Sequence, residues 1–131
     1  LKNLFGRQIG DLSCNVARLQ TVSRLAATSQ AVGEVSSAAS SDAATKTAAS
    51  TAQSALSSAK AGISKIALAL VTGQQAPAAA RDQVQQGLTN AQTALAGITS
   101  TDSTVQSAVA NAQSELASTQ TAGNAVVSNC K

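Results

Sequence analysis

The chain has 131 residues, a net charge of +3 and only 11% charged residues, with no His, Trp, Tyr or Met, one Phe (Phe5) and one Pro (Pro77). That length suits one domain with a real core, and an alanine-rich composition almost free of aromatics favours helix over strand. Without His or Tyr, acid–base chemistry would fall to six carboxylates, the lysines or a thiol, and basic residues scattered singly give no stripe for nucleic acid.

Residues 1–10 carry two glycines and the apolar set Leu4, Phe5 and Ile9. They read as an arm, either flexible or folded back on the domain that occupies 11–131. Helix 1 is expected to start near Asp11 or Ser13, either of which can cap it. Leu12, Val16 and Leu19 open its apolar seam, and Val22, Leu25, Ala26, Val32 and Val35 continue it less regularly. Ala38 to Ser41 is the expected turn.

Ser41 or Asp42 then caps helix 2, which runs to about Thr72. Its seam is Ala52, Leu56, Ala59, Ile63, Ile66 and Leu70, with gaps of four, three, four, three and four. That alternation marks a helix packed lengthwise on other helices. Leu68 and Val71 fall outside the seam and, with Leu4, Phe5 and Ile9, form a candidate surface patch.

Gly73 suits a left-handed helix end and Pro77 the first turn of the next helix. Helix 3 follows with Ala80, Val84, Leu88, Ala91, Leu95 and Ile98. Helix 4 opens at Asp102 or Ser103 and keeps its seam through Val105, Val109, Ala112, Leu116, Thr119, Gly123, Val126 and Cys130. Four amphipathic helices joined by short turns predict an all-α, antiparallel up-down four-helix bundle.

In that topology the start of helix 1 and the end of helix 4 meet. Cys14 and Cys130 are therefore brought together, and a disulfide between the first and last helices is expected. It would imply an oxidising compartment, hence a secreted or extracellular protein. No signal peptide is visible, so a secreted origin would make this a processed form. No apolar run approaches the roughly 20 residues of a membrane-crossing helix, and no spanning segment is expected. Two cysteines without a histidine make no zinc site. No cofactor is expected.

The bundle should have unlike ends. Large residues gather at the disulfide end, which predicts a thick core there, while the alanines of helix 2 predict a thin one at the other end. Asp11, Asp42, Asp82 and Asp102 fall near helix starts and read as caps. No Gly-x-Ser-x-Gly elbow or phosphate loop appears, so no enzyme is expected.

The stretch Ala76-Pro-Ala-Ala-Ala-Arg-Asp-Gln-Val-Gln-Gln-Gly-Leu-Thr-Asn-Ala-Gln-Thr-Ala-Leu95, after the helix end Ile63-Ser-Lys-Ile-Ala-Leu-Ala-Leu70, resembles small secreted fungal proteins. The nearest family is the hydrophobic surface-binding protein A / cell-wall galactomannoprotein group. That resemblance implies secretion, association with a cell wall or a hydrophobic surface, and in some members a fatty-acid-like ligand between the helices.

From the seam itself, Leu12, Val16, Leu19, Ile63, Ile66, Leu70, Val84, Leu88 and Val126 are the candidate lining of an apolar site. Lys65 and Arg81 are the candidate partners of a carboxylate. The expected function is non-enzymatic binding of a fatty-acid-like lipid or a hydrophobic surface. The alternative is a structural wall component or host-interaction effector, with a filled core and a wall polymer or host protein as partner.

Overall fold

A computed structural model describes residues 12–39 and 41–130. The arm with Leu4, Phe5 and Ile9, the candidate cap Asp11, and Ser40 of the first turn lie outside the described residues. Four helices follow in order: α1 (Leu12–Ala39), α2 (Ala43–Val71), α3 (Ala78–Ala96) and α4 (Ser103–Asn129). They form an antiparallel four-helix bundle, and Cys14 and Cys130 are joined by a disulfide with their Cα atoms 4.9 Å apart.

Local chemistry sets the boundaries. Asp42 caps α2, accepting from the Thr45 N–H at 3.1 Å and the Thr45 hydroxyl at 2.7 Å. Asp102 caps α4 through the Thr104 N–H at 2.8 Å. At the end of α2, Gly73 takes φ 82°. Its N–H reaches the Leu70 carbonyl, and the Gln74 N–H reaches that of Ala69. This paired closure needs a left-handed residue, which glycine supplies without a Cβ clash. Pro77 is the extended N-cap of α3, one place earlier than the first helical turn expected for it. Ser13 lies within α1 and does not cap it.

Hydrogen bonds from Thr45 hold the Asp42 carboxyl below the usual aspartate range. A lowered folded pKa means that this cap stabilises the fold above the ordinary aspartate pKa and loses its effect as pH falls through the folded value. Wild type is therefore expected to melt higher than Asp42→Ala at neutral pH, with the gap closing in acid. Thermal melts of both proteins across a pH series measure it.

The helices associate as two close pairs, α1 with α4 and α2 with α3. The α1–α2 contact is less extensive, and α3 and α4 touch least of these neighbours. Each of the four interfaces has a side-chain hydrogen bond. Thr28 and Thr119 share a buried hydroxyl contact of 3.0 Å between α1 and α4. Gln53 donates to the Ser29 carbonyl, Gln83 to the Ser58 carbonyl, and Gln120 to the Gln92 side chain. The Thr21 hydroxyl donates to the Ala17 carbonyl one turn back. Thr28 and Thr119 lie within reach of the Arg24 and Glu115 carbonyls in the same way, and one of the two donates to its carbonyl while the other donates across the interface. Threonine thus fills seam positions without a stranded polar group.

The thick and thin ends are the reverse of the expectation. At the alanine end, Ala49, Ala52 and Leu56 pack with Val32, Val35, Leu95 and Leu116 in a closed core. The small residues let the helices close up there. At the disulfide end Ile63 and Val84 are only partly buried.

The face of α1 explains the difference and corrects the expected seam. Leu12 and Leu19 are 76% and 70% exposed, and Val16 and Val22 are exposed as well. The inward face is instead Cys14, Ala17, Thr21, Leu25 and Thr28. At 3.6 residues per turn, Leu12, Val16 and Leu19 point about 140–160° away from Cys14. The disulfide turns Cys14 inward, so the three large residues face out. Ala26, also assigned to the seam, is exposed. Small side chains replace large ones inside this end, and the volume they leave is not filled.

Candidate functional site

That volume is a cavity of about 690 Å³ at the disulfide end, lined by all four helices. Its apolar wall is built by Ile63, Ile66, Ala67 and Leu70 of α2, Val84 and Leu88 of α3, and Val126 and Val127 of α4, with Val22 of α1. Six of the nine residues proposed from the seam therefore stand around one space. The other three, Leu12, Val16 and Leu19, do not line it, because they occupy the outer face of α1.

Polar residues ring the same space. Asp82, Gln85 and Thr89 of α3 and Gln120 and Asn124 of α4 belong to the lining. They stand on the two neighbouring helices that touch least. Gly123 faces in from α4, and a Cβ built on it would meet nothing within 4 Å. The absent side chain is part of the cavity's volume.

Two cations reach the lining, Arg81 from α3 and Arg18 from α1. Partial burial lowers the Arg18 pKa from its ordinary value through desolvation; the guanidinium stays charged at neutral pH. A partly dehydrated cation attracts an anion more strongly than one in open water. Arg18 also donates to the Asn15 side chain at 3.2 Å. Lys65, the other proposed carboxylate partner, lies outside the lining and donates to the Gln83 side chain at 3.1 Å.

Arg18 was missed by the seam argument, which followed the large residues of helix 1. The signal for it was Cys14. Once that cysteine must face in, residues four and seven places on, Arg18 and Thr21, share its face. The polar rim carries no apolar period and gave no signal. Gly123 was assigned to the seam, but its empty side was not foreseen.

Leu68 and Val71 are 66% and 79% exposed, while the rest of that proposed patch, Leu4, Phe5 and Ile9, lies outside the described residues. A smaller cavity of about 270 Å³ at the opposite end is lined by Asp42, Thr45 and residues 97–101. Its carboxylate is already occupied with capping α2. Among the described residues no cluster of His, Cys, Asp and Glu has the makings of a metal site.

The expectation of no membrane-crossing segment rested on the lack of an unbroken apolar run. Among the described residues, α2 is long and apolar enough to cross a membrane by length and composition, and 28% of its most apolar stretch is buried in the bundle. A mostly buried core helix meets the same criterion; α2 is less buried than that, and one such helix is weak evidence of a span. No protein-family model, curated protein or solved structure matches this chain.

Proposed function

We propose that the protein is a secreted, non-enzymatic carrier of a fatty-acid-like amphiphile, its acyl chain lying in the cavity at the disulfide end. The observation that carries this reading is the cavity itself, with a continuous apolar wall and two arginines at one site. A space of this size falls in the range of roughly 300–1,000 Å³ typical of small-molecule sites. Each methylene moved from water onto that wall contributes about 0.8 kcal/mol. Arg81, with Arg18, supplies the charge for a carboxylate. Arg18, Arg81 and Asp82 are the ionisable side chains of the lining, and none is a nucleophile paired with a base. Kinship with the fungal hydrophobic surface-binding group, which residues 76–95 resemble, belongs to the same proposal. So does an extracellular location, which a disulfide suits. The alternative of a filled core, serving only as scaffold, has the cavity against it.

Fatty-acid titration by calorimetry, beside native mass spectrometry of protein from its natural source, tests the carrier reading. Saturable binding of one acid per chain is expected. Gly123→Leu places a side chain in the empty space and is expected to weaken binding by about tenfold or more, the equivalent of displacing roughly two methylenes. The fold should survive, because a Cβ there meets no atom within 4 Å. Arg81→Gln is expected to erase any preference for the acid over the corresponding fatty alcohol. No saturable binding to the wild type, or equal binding to wild type and Gly123→Leu, overturns the carrier reading.

A further inference from the structure

The disulfide end also has an apolar outer surface, which shares Val22 and Val127 with the cavity lining and otherwise lies outside it. Among the described residues, every exposed large apolar side chain belongs to this end: the α1 stripe from Leu12 to Val22, Leu68 and Val71 at the end of α2, and Val127 near the end of α4. None stands at the alanine end. Single exposed apolar residues need no explanation, but their confinement to one end of a bundle does.

Charge is divided along the same axis. Among the described residues, the disulfide half carries Arg18, Lys60, Lys65 and Arg81 against Asp82, whereas the opposite half carries Glu34, Asp42 and Asp102 against Lys46. Arg24 and Glu115 stand near the waist of the bundle. Capping of α2 and α4 accounts for Asp42 and Asp102 at the opposite end, but the helix ends do not account for the cations of the disulfide half, because each end of an up-down bundle holds two N-termini and two C-termini. Arg18 lies six residues from Leu12, and Lys65 six from Val71, each about 9 Å along the helix at 1.5 Å per residue. That distance is about one Debye length at physiological ionic strength. Arg18 and Lys65 therefore sit within electrostatic reach of any surface that the apolar tip enters, while Lys60 stands further up α2.

We propose that the disulfide end docks on an anionic lipid bilayer, with Leu12, Leu68, Val71 and Val127 entering the interface while Lys65 and the cavity arginines face the lipid phosphates and carboxylates. Apolar insertion and attraction of basic groups to anionic lipid are the two terms that hold a protein at an interface without spanning it. The charge division selects this occupant. A second copy of the chain would bring like-charged ends together, and a neutral apolar solid would make no use of the cations. The inference does not rest on the carrier reading, since Leu68, Val71, Lys60 and Lys65 all lie outside the cavity lining. It would give a carrier a way to meet its donor or acceptor membrane with the cavity end down.

Co-sedimentation of the oxidised chain with vesicles of phosphatidylcholine, alone or mixed with phosphatidylserine, tests it. Binding to the mixed vesicles is expected to exceed binding to the neutral ones by about tenfold or more and to fall as salt is raised. The double variant K60E/K65E should lose that preference. The double variant L68S/V71S should bind both vesicle types less well. All four positions are exposed, and circular dichroism checks that both variants keep the bundle. Gly123→Leu should bind vesicles as wild type does, which separates this inference from the carrier reading. Equal partition to the two vesicle types, or no binding to either, overturns the proposal. It is also overturned if the chain dimerises on size exclusion with light scattering and L68S/V71S makes it monomeric, because the tip is then a self-association face.

Discussion

Replacing Cys14 and Cys130 together by alanine is expected to lower the unfolding free energy by about 4–5 kcal/mol. The two cysteines are 116 residues apart in sequence, so their bond closes nearly the whole chain. By the chain-entropy argument, the saving grows with the logarithm of the loop closed and is near its ceiling here. A domain of this class has in total roughly 5–15 kcal/mol of stability, and the bond is therefore a large share of it. The packing sharpens the expectation. The closed core of Leu56, Leu95, Leu116, Val32 and Val35 runs from the waist to the far end, whereas the disulfide end surrounds a cavity. Little side-chain packing remains there to hold the first turns of α1 against the last turns of α4 once the bond is gone. Urea unfolding of wild type and the double variant reads the total. Amide exchange should show the loss concentrated in the first two turns of α1 and the last two of α4, ahead of global unfolding. A total loss below about 1 kcal/mol would mean that the unfolded chain already holds these ends together.

The same bond explains what could and could not be read before the structure. Helix boundaries were legible wherever a residue's chemistry is local. Asp42 and Asp102 cap the helices that they precede, and Gly73 closes α2 because the motif there needs a positive φ. Topology was legible because four helices with short turns bring Cys14 to Cys130. The face of α1 was not. That helix has two stripes at helical spacing, Leu12–Val16–Leu19 and Cys14–Ala17–Thr21, and periodicity cannot rank them. Side-chain size favoured the first, while a covalent bond to α4 imposed the second. From that single inversion follow the exposed stripe of α1, the unfilled interior and the inward placement of Arg18. The core moved to the alanine end for a related reason. Packing depends on how closely backbones approach, and a row of small residues permits an approach that closes the core without large side chains.

Gly87→Ala tests that closeness, and a net loss of about 2 kcal/mol is expected, seen as a fall in Tm of roughly 6–10 °C. In an open helix the same change would stabilise by close to 1 kcal/mol, because alanine is the better helix former. Here a Cβ on Gly87 would stand 2.6 Å from the Ala55 carbonyl oxygen and 2.9 Å from both the Ala59 N and Cβ. These are backbone and Cβ atoms one turn apart on α2, and no rotamer change moves them aside. The two helices must separate, and Leu56, Leu88 and Leu95 lose contact across the gap. Gly62→Ala should be milder. Its nearest neighbour is the Val84 Cγ2 at 2.8 Å, the end of a side chain beside the cavity, although the Ala80 carbonyl at 2.9 Å still opposes it. Gly123→Ala has no such opponent and should gain roughly 0.5–1 kcal/mol. Three identical chemical changes on three helices are thus expected to rank Gly123, Gly62, Gly87 from most to least stable. Helix propensity alone would make all three favourable. If all three stabilise, α2 and α3 are not pressed together, and the disulfide end would then not be the only loosely packed part of the bundle.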